Sequence, residues 1–520
     1  MYTLTRVVAF SLLIVMIGAV LPAQAQDATP EAAPGPIVLV PHTDETFGIE
    51  SLVPDGWTDR GSGLFARAND PDDVALVAQQ AAPLNTETLL NALLPQLALT
   101  EAPEPVGAYT GLLDWTLYQV DVDTAATTIK VDLALAESNN QTYLLLLQAR
   151  SDEYEDLHTS VFLPTLDAYG PLTVEATEEA VPYTIEALTF TNGDITLAGT
   201  LTLPPTAGPH PAIVLVSGSG PQDRDESLGA GIAIKPFRLL ADALTRAGVA
   251  ILRYDDRGVG GSSGNFTTAI TADFASDADA ALAYLAGRDD INADELGLLG
   301  HSEGGLVAAM LGARSEDLDF IISLAGPGVN GMDVLRLQNQ RALAAEGATQ
   351  EQIDAQVAFV EELATVLDDP EALEALAYEH TLAQTETFTE EELASIGDPE
   401  EFARLTAAQV AQQYSAGWFG SFLSYDPAPD WAQTTIPVLA FFGSKDVQVD
   451  AEQNAPALEA ALEQAGNPDY EVVVLPDANH LFQQANTGGP SEYATLPAEF
   501  TPDLIPTILE WLENHVTIAQ

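Results

Sequence analysis

Leu296-Gly297-Leu298-Leu299-Gly300-His301-Ser302-Glu303-Gly304-Gly305-Leu306-Val307-Ala308-Ala309 is the stretch from which the fold of this 520-residue chain can be read. Leu296–Leu299 is a short apolar run that predicts a buried strand, and the residues after Gly305 predict a helix with small side chains on its first turn. Between them lies G-x-S-x-G, Gly300 to Gly304. A serine on so abrupt a strand-to-helix turn has a strained backbone and a projecting hydroxyl, and the flanking glycines let strand and helix approach closely. The same spacing recurs at Gly260-Gly261-Ser262-Ser263-Gly264, but there it leads into a Gly/Ser/Asn loop and reads as a flexible turn. Ser302 is therefore the expected nucleophile.

Working outward, apolar strand patterns alternate with helical ones. The strands are Ile213–Val216, Val249–Tyr254, Leu296–Leu299, Phe320–Leu324, Val438–Phe442 and Val472–Leu475. They lack polar alternation, as parallel strands covered on both faces do. Helices are expected at Asp273–Leu285, Leu306–Ala313 and Ala455–Ala465, giving a doubly wound α/β sheet. A hairpin, Ile185–Phe190 with Ile195–Leu203 around Asn192-Gly193, precedes it. From about 328 to 432 the rhythm breaks into four or five helices. Capping boxes at Thr349/Gln352 and Thr389/Glu392, and Asp-Pro starts at Asp369 and Asp398, mark them. Inserted after one strand, they read as a lid, packed by Trp418, Phe419, Phe422 and Tyr425.

Serine at its free pKa is a weak nucleophile and needs a base oriented by an acid. In this topology the order is Ser, acid, His. Of the histidines after Ser302, His380 falls in the lid and His515 on an amphipathic C-terminal helix. His480 lies in a loop directly after the last apolar strand and is the expected base. Asp446 follows the glycine that ends Val438–Phe442 and is the expected acid; Asp450 is the runner-up, better placed to begin the next helix. An oxyanion hole needs two backbone N–H groups. Glu303 supplies one, and Ser219, in the loop Ser217-Gly218-Ser219-Gly220-Pro221-Gln222-Asp223-Arg224-Asp225-Glu226, is the best placed for the other. The charged end of that loop either borders the site or forms surface ion pairs. Asp255-Asp256-Arg257 reads as a buried structural pair.

Composition narrows the classes. Without cysteine there is no disulfide framework, no thiolate catalysis and no Cys-ligated metal. The formal charge of −61 repels phosphate backbones and anionic lipid, which speaks against nucleic-acid partners. Residues 1–25 read as a signal peptide: Arg6, an apolar stretch Val7 to Leu21, then Ala23-Gln24-Ala25 as a cleavage site. The alternative is an uncleaved anchor; with cleavage, no stable membrane insertion is expected. Either way the protein acts outside the cytoplasm. Residues 26–36 are a Pro/Ala linker.

Residues 37–170 form a smaller α+β unit. Strands are expected at Phe47–Val53, Trp115–Val122, Thr128–Ala136 and Thr142–Ala149, and helices at Thr86–Ala98 and Asp152–Leu163. No paired catalytic groups are legible in it. Its strand before Pro54-Asp55-Gly56-Trp57 and its last strand-helix pair resemble the α/β sandwich of the PsbP and Mog1 proteins, which implies an accessory or binding module with a possible surface or protein partner. Residues 171–183 are an acidic linker, across which few contacts are expected.

Residues 184–520, with GHSEGG, GSKD and DANHLF at the three strand ends, resemble an α/β-hydrolase. Together with VSGSGPQDRDE and YDDRGVGGSSG they are similar to bacterial carboxylesterases related to the serine aminopeptidase hydrolases. That resemblance implies hydrolysis of short acyl esters through a Ser302–His480–Asp446 triad, with a small-molecule ester as substrate and neither metal nor cofactor. A serine aminopeptidase is the alternative, since related folds cleave peptides with the same triad; a binding protein on a hydrolase scaffold is the alternative of another class.

Overall fold

The computed structural model describes residues 37–518 except 45–46, 68–72, 95–96, 98, 100, 124–127, 139–140, 173–180, 229–231, 387, 390–392, 394–395, 397 and 415–416. The segment read as a signal peptide and the first linker therefore lie outside the described residues, as do most of the acidic linker and Glu392.

The second part of the chain is built on one eight-stranded sheet. Its strands are β1 (Thr184–Asn192), β2 (Ile195–Leu203), β3 (His210–Val216), β4 (Ala250–Tyr254), β5 (Ile291–His301), β6 (Phe320–Leu324), β7 (Val438–Gly443) and β8 (Tyr470–Leu475). They lie in the order β1-β2-β4-β3-β5-β6-β7-β8. β2 runs antiparallel to both its neighbours; from β4 to β8 all pairings are parallel. This is the expected doubly wound sheet behind a hairpin. Every residue of β3, β4, β6 and β7 is buried, because helices cover both faces. The covering helices are α1 (Pro236–Arg246), α2 (Thr271–Ala286), α3 (Glu303–Gly312) and, beyond the lid, α9 (Ala451–Ala465) and α10 (Leu504–His515).

Between β6 and β7 stand α4 (Gly331–Ala345), α5 (Gln350–Leu363), α6 (Pro370–Thr385), α7 (Pro399–Tyr414) and α8 (Gly417–Ser424). The Thr349 capping box closes in both directions, with the Thr349 N–H donating to Gln352 Oε1 at 2.9 Å and the Gln352 N–H to Thr349 Oγ1 at 3.3 Å. Asp369 and Asp398 each accept from backbone N–H groups of the helix they start. These helices bury Phe359, Leu363, Leu373, Tyr414, Phe419 and Phe422 in a core of their own, which reaches the sheet's helices at Leu306.

The first part holds a seven-stranded antiparallel sheet and a three-stranded one. In the central strand Gln141–Arg150, Tyr143, Leu145 and Leu147 face one cluster and Leu144 and Leu146 the other. Helix Thr86–Leu93 covers the second face. The other is covered by the segment expected as a helix, which runs without a break as an α-helical turn (Tyr154–Leu157), a π-helical stretch (His158–Phe162) and a final α-helix (Leu163–Ala168). Among the described residues six short strands escape the sequence reading, including Leu76–Ala82, which pairs on one side with Leu64–Ala66 and on the other with the distant Gln141–Arg150.

The two parts meet away from the linker. Leu84 bridges to Val259, the Asn85 N–H donates to Gly258 O at 3.3 Å, and the Gly260 N–H to Pro83 O at 3.2 Å. Val259 is fully buried in the first part's core, beside Leu84, Leu89 and Leu90. The loop read as a flexible turn is thus fixed: Ser262 is 2% exposed, its hydroxyl donating to Asp255 O at 2.7 Å and accepting from the Ala198 N–H at 2.9 Å.

Candidate active site

Ser302 occupies the turn between β5 and α3 with φ 54° and ψ −115°. A non-glycine residue held there costs about 1–3 kcal/mol, which the surrounding bonds must offset. The Ser302 N–H donates to Leu324 O at 2.9 Å, and its carbonyl accepts the Gly305 N–H at 2.8 Å. The motif glycines are explained by space: a Cβ on Gly300 would stand 2.0 Å from Gly304 O, and one on Gly304 would stand 2.1 Å from Val216 O.

His480 and Asp446 are brought together from the loops after β8 and β7. His480 Nδ1 lies 2.8 Å from Asp446 Oδ2, and both side chains are almost wholly buried. The other carboxylate oxygen accepts the backbone N–H groups of Gln448 and Val449 at 2.8 and 2.9 Å, which fixes its direction. Asp450 caps α9 through the Gln453 N–H. His380 is stacked on Phe359 in the lid, and burial pushes its pKa down to about 4. His515 sits on α10 against Trp511. Among the described residues no hydrogen bond joins the Ser302 hydroxyl to His480. Contact runs through the neighbouring His301, whose ring centroid is 4.8 Å from that of His480.

The loop carrying Ser219 passes directly beside the serine, since a Cβ on Gly218 would come within 3.1 Å of Ser302 Cβ. Its charged end is held inward. Asp256 accepts the Gln222 N–H and the Ser217 hydroxyl, and Asp255 takes Arg224 in a two-pronged ion pair. Arg257 turns instead to Asp277 and Asp273. Asp255 and Asp256 thus serve the loop rather than Arg257. Glu226, at the end of this loop, accepts the Gly218 N–H at 2.9 Å and pairs with His301 Nδ1 at 2.6 Å.

Glu303 contributes more than the N–H that sequence assigns to it. Its buried carboxyl accepts from the Thr271 hydroxyl at 2.6 Å and from the indole N–H of Trp418, on the lid, at 2.8 Å. Burial holds this carboxyl above its ordinary value, against hydrogen bonds from Thr271, Trp418 and Ser219 that lower it. Nothing in the sequence pairs Glu226 with His301 or Glu303 with Trp418, as the partners are 75 and 115 residues apart. A further acid–histidine pair lies in the first part: buried Asp132 accepts from Tyr154 at 2.7 Å and meets His158 Nδ1 at 2.6 Å. The sequence reading of that part found no such pair.

A strand-turn-helix elbow on β5, an acid after β7 and a histidine after β8 define the hydrolase class of α/β sheet. The Alpha/beta hydrolase family profile matches residues 213–488, more than half of the chain, and the chain belongs to this family. It is 29% identical over 308 residues to Esterase EstD of Thermotoga maritima, which covers 59% of this chain; the chain spans 63% of that relative's length. Similar solved structures include an esterase of Pyrococcus furiosus (15% identity, 64% of this chain and 92% of that one, TM-score 0.39). Another is the dienelactone hydrolase of Anabaena variabilis (16% identity, 65% of this chain and 100% of that one, TM-score 0.35).

Proposed function

We propose that the chain is an exported serine hydrolase that cleaves small carboxylic esters through an acyl-enzyme. The observation that carries this reading is the buried His480–Asp446 hydrogen bond beside the strained turn of Ser302. Ser302 Oγ attacks the ester carbonyl while His480 Nε2 takes its proton. Asp446, hydrogen-bonded at Nδ1, stabilises the imidazolium so formed. The N–H groups of Ser219 and Glu303 hold the oxyanion; each such donor is worth roughly 3–4 kcal/mol of barrier. His480 then protonates the departing alcohol, and a water deprotonated by His480 releases the acid from Ser302. These groups suffice without metal or cofactor, so a chelator leaves the rate unchanged. Export rests on the sequence of residues 1–25, and an accessory role for the first part on its likeness to binding modules.

The deciding experiment is turnover of short and long acyl esters beside aminoacyl amides, with Ser302→Ala as control. Ester cleavage that vanishes in the variant supports the reading. Amide cleavage outrunning ester cleavage would turn it toward an aminopeptidase, and no turnover of any substrate would sink it.

A further inference from the structure

His301 is the buried residue before Ser302, and both its ring nitrogens face acceptors. Nδ1 meets Glu226 Oε1 at 2.6 Å; Nε2 meets the backbone carbonyl of His480 at 2.9 Å. Facing an ionised Glu226, a neutral imidazole has one N–H and can satisfy only one of them. The same Glu226 oxygen already accepts the Gly218 N–H, as an ionised carboxylate does readily. A proton on Glu226 Oε2 would find no acceptor, since that atom is buried without a partner among the described residues. Both His301 bonds and the Gly218 N–H are satisfied when His301 carries both protons and Glu226 none.

We propose that Glu226 is a positioning residue that holds His301 as an imidazolium and, through it, fixes the backbone of His480 and of the oxyanion loop. This rests on the triad reading above. One carboxylate then ties together three separate segments of the site: Gly218, next to the proposed donor Ser219; His301, next to Ser302; and, through His301 Nε2, the main chain of His480. Glu226 itself is 1% exposed and has φ 56°, a strained conformation for a glutamate, so the loop is bent to deliver this carboxylate. The charged groups that face His301 are Glu226 from the loop after β3, His480 from the loop after β8 and Asp446 from the loop after β7. Burial disfavours charge on His301, but Glu226, the His480 carbonyl and Asp446 outweigh it and raise its pKa. The imidazolium therefore persists to higher pH than that of an ordinary histidine and is lost as pH rises through the raised value. One of its two bonds is lost with it.

Two measurements test this. In the full-length protein labelled with 15N-histidine, both ring nitrogens of His301 carry protons at pH 7, the signals being assigned by their absence in His301→Gln. A neutral His301 with a single N–H would overturn the proposal, whatever the variants do. Glu226→Gln keeps the shape and removes the charge. It is expected to lower kcat about 10- to 100-fold, the scale of a misplaced catalytic group, to leave KM within about threefold on the same reasoning that substrate is not touched, and to move the alkaline limb of the rate profile to lower pH. Unchanged kcat and an unchanged alkaline limb would refute it. Should Ser302→Ala retain full turnover, the triad reading fails by itself, while the histidine spectrum still decides the state of His301.

Discussion

Trp418 of the lid donates its indole N–H to the carboxyl of Glu303, the residue immediately after Ser302, at 2.8 Å. The same ring stacks on Phe422, with centroids 5.3 Å apart and planes 20° from parallel, inside the lid's own core. The lid is thereby pinned to the turn that carries the serine. Trp418→Phe keeps the stack and removes the donor. It should cost about 1 kcal/mol of unfolding free energy and make residues 331–424 more susceptible to limited proteolysis. Equal stability and an equal cleavage rate would show that the bond does not hold the lid.

The two G-x-S-x-G serines should behave oppositely. Ser302→Ala and His480→Ala are each expected to lower ester turnover by on the order of a thousandfold or more, and the double variant little further, because the triad acts as a unit. Ser262→Ala should retain activity but lose about 1–3 kcal/mol of stability, leaving the Ala198 N–H and Asp255 carbonyl unpaired. A fluorophosphonate probe is expected to label Ser302; labelling of Ser262 would refute the assignment.

Burial holds the Glu303 carboxyl above its ordinary value of 4.5. The folded state then keeps a proton that the unfolded chain releases near 4.5. Its contribution to stability is complete below that pH and is lost as pH rises through the folded value. Glu303→Gln, a neutral side chain of the same shape, removes this dependence. Urea unfolding at a series of pH values should show the variant's stability falling less steeply above pH 4.5 than the wild type's. Parallel curves would contradict the prediction.

Val259 belongs to the second part by sequence and to the first part's core by position, at 0% exposure. Val259→Ala should cost about 2 kcal/mol by cavity formation. A chain starting at Tyr183 uncovers this residue and its loop, and should melt several degrees below the full-length protein. Calorimetry of both forms checks this, and coincident melting of the second part would show that the contact contributes nothing.

The stretch around Ser302 determines the fold in local terms. Apolar runs with no polar alternation fit strands buried on both faces, and only the last of them, at the sheet edge, is left half-exposed. Of the elbow glycines, Gly300 answers a backbone atom four residues away, while Gly304 answers Val216 on a neighbouring strand. The order of Ser302, Asp446 and His480 follows because each sits just past a strand legible from its own composition. Even the Thr349 and Asp369 caps are local, since the cap and the N–H groups it meets are within three residues of each other. What the tertiary structure decided is everything carried by long-range partners. Leu76–Ala82 becomes a strand because Gln141–Arg150 lies beside it. Ser262 is rigid because Asp255 and Ala198 hold its hydroxyl and Val259 anchors the same loop. Glu226 and Glu303 looked like surface charge or a backbone donor, yet each is buried against a residue from a distant segment. Side-chain pairing across such separations is set by how the sheet, the loops and the lid pack, and no periodicity in the chain encodes it.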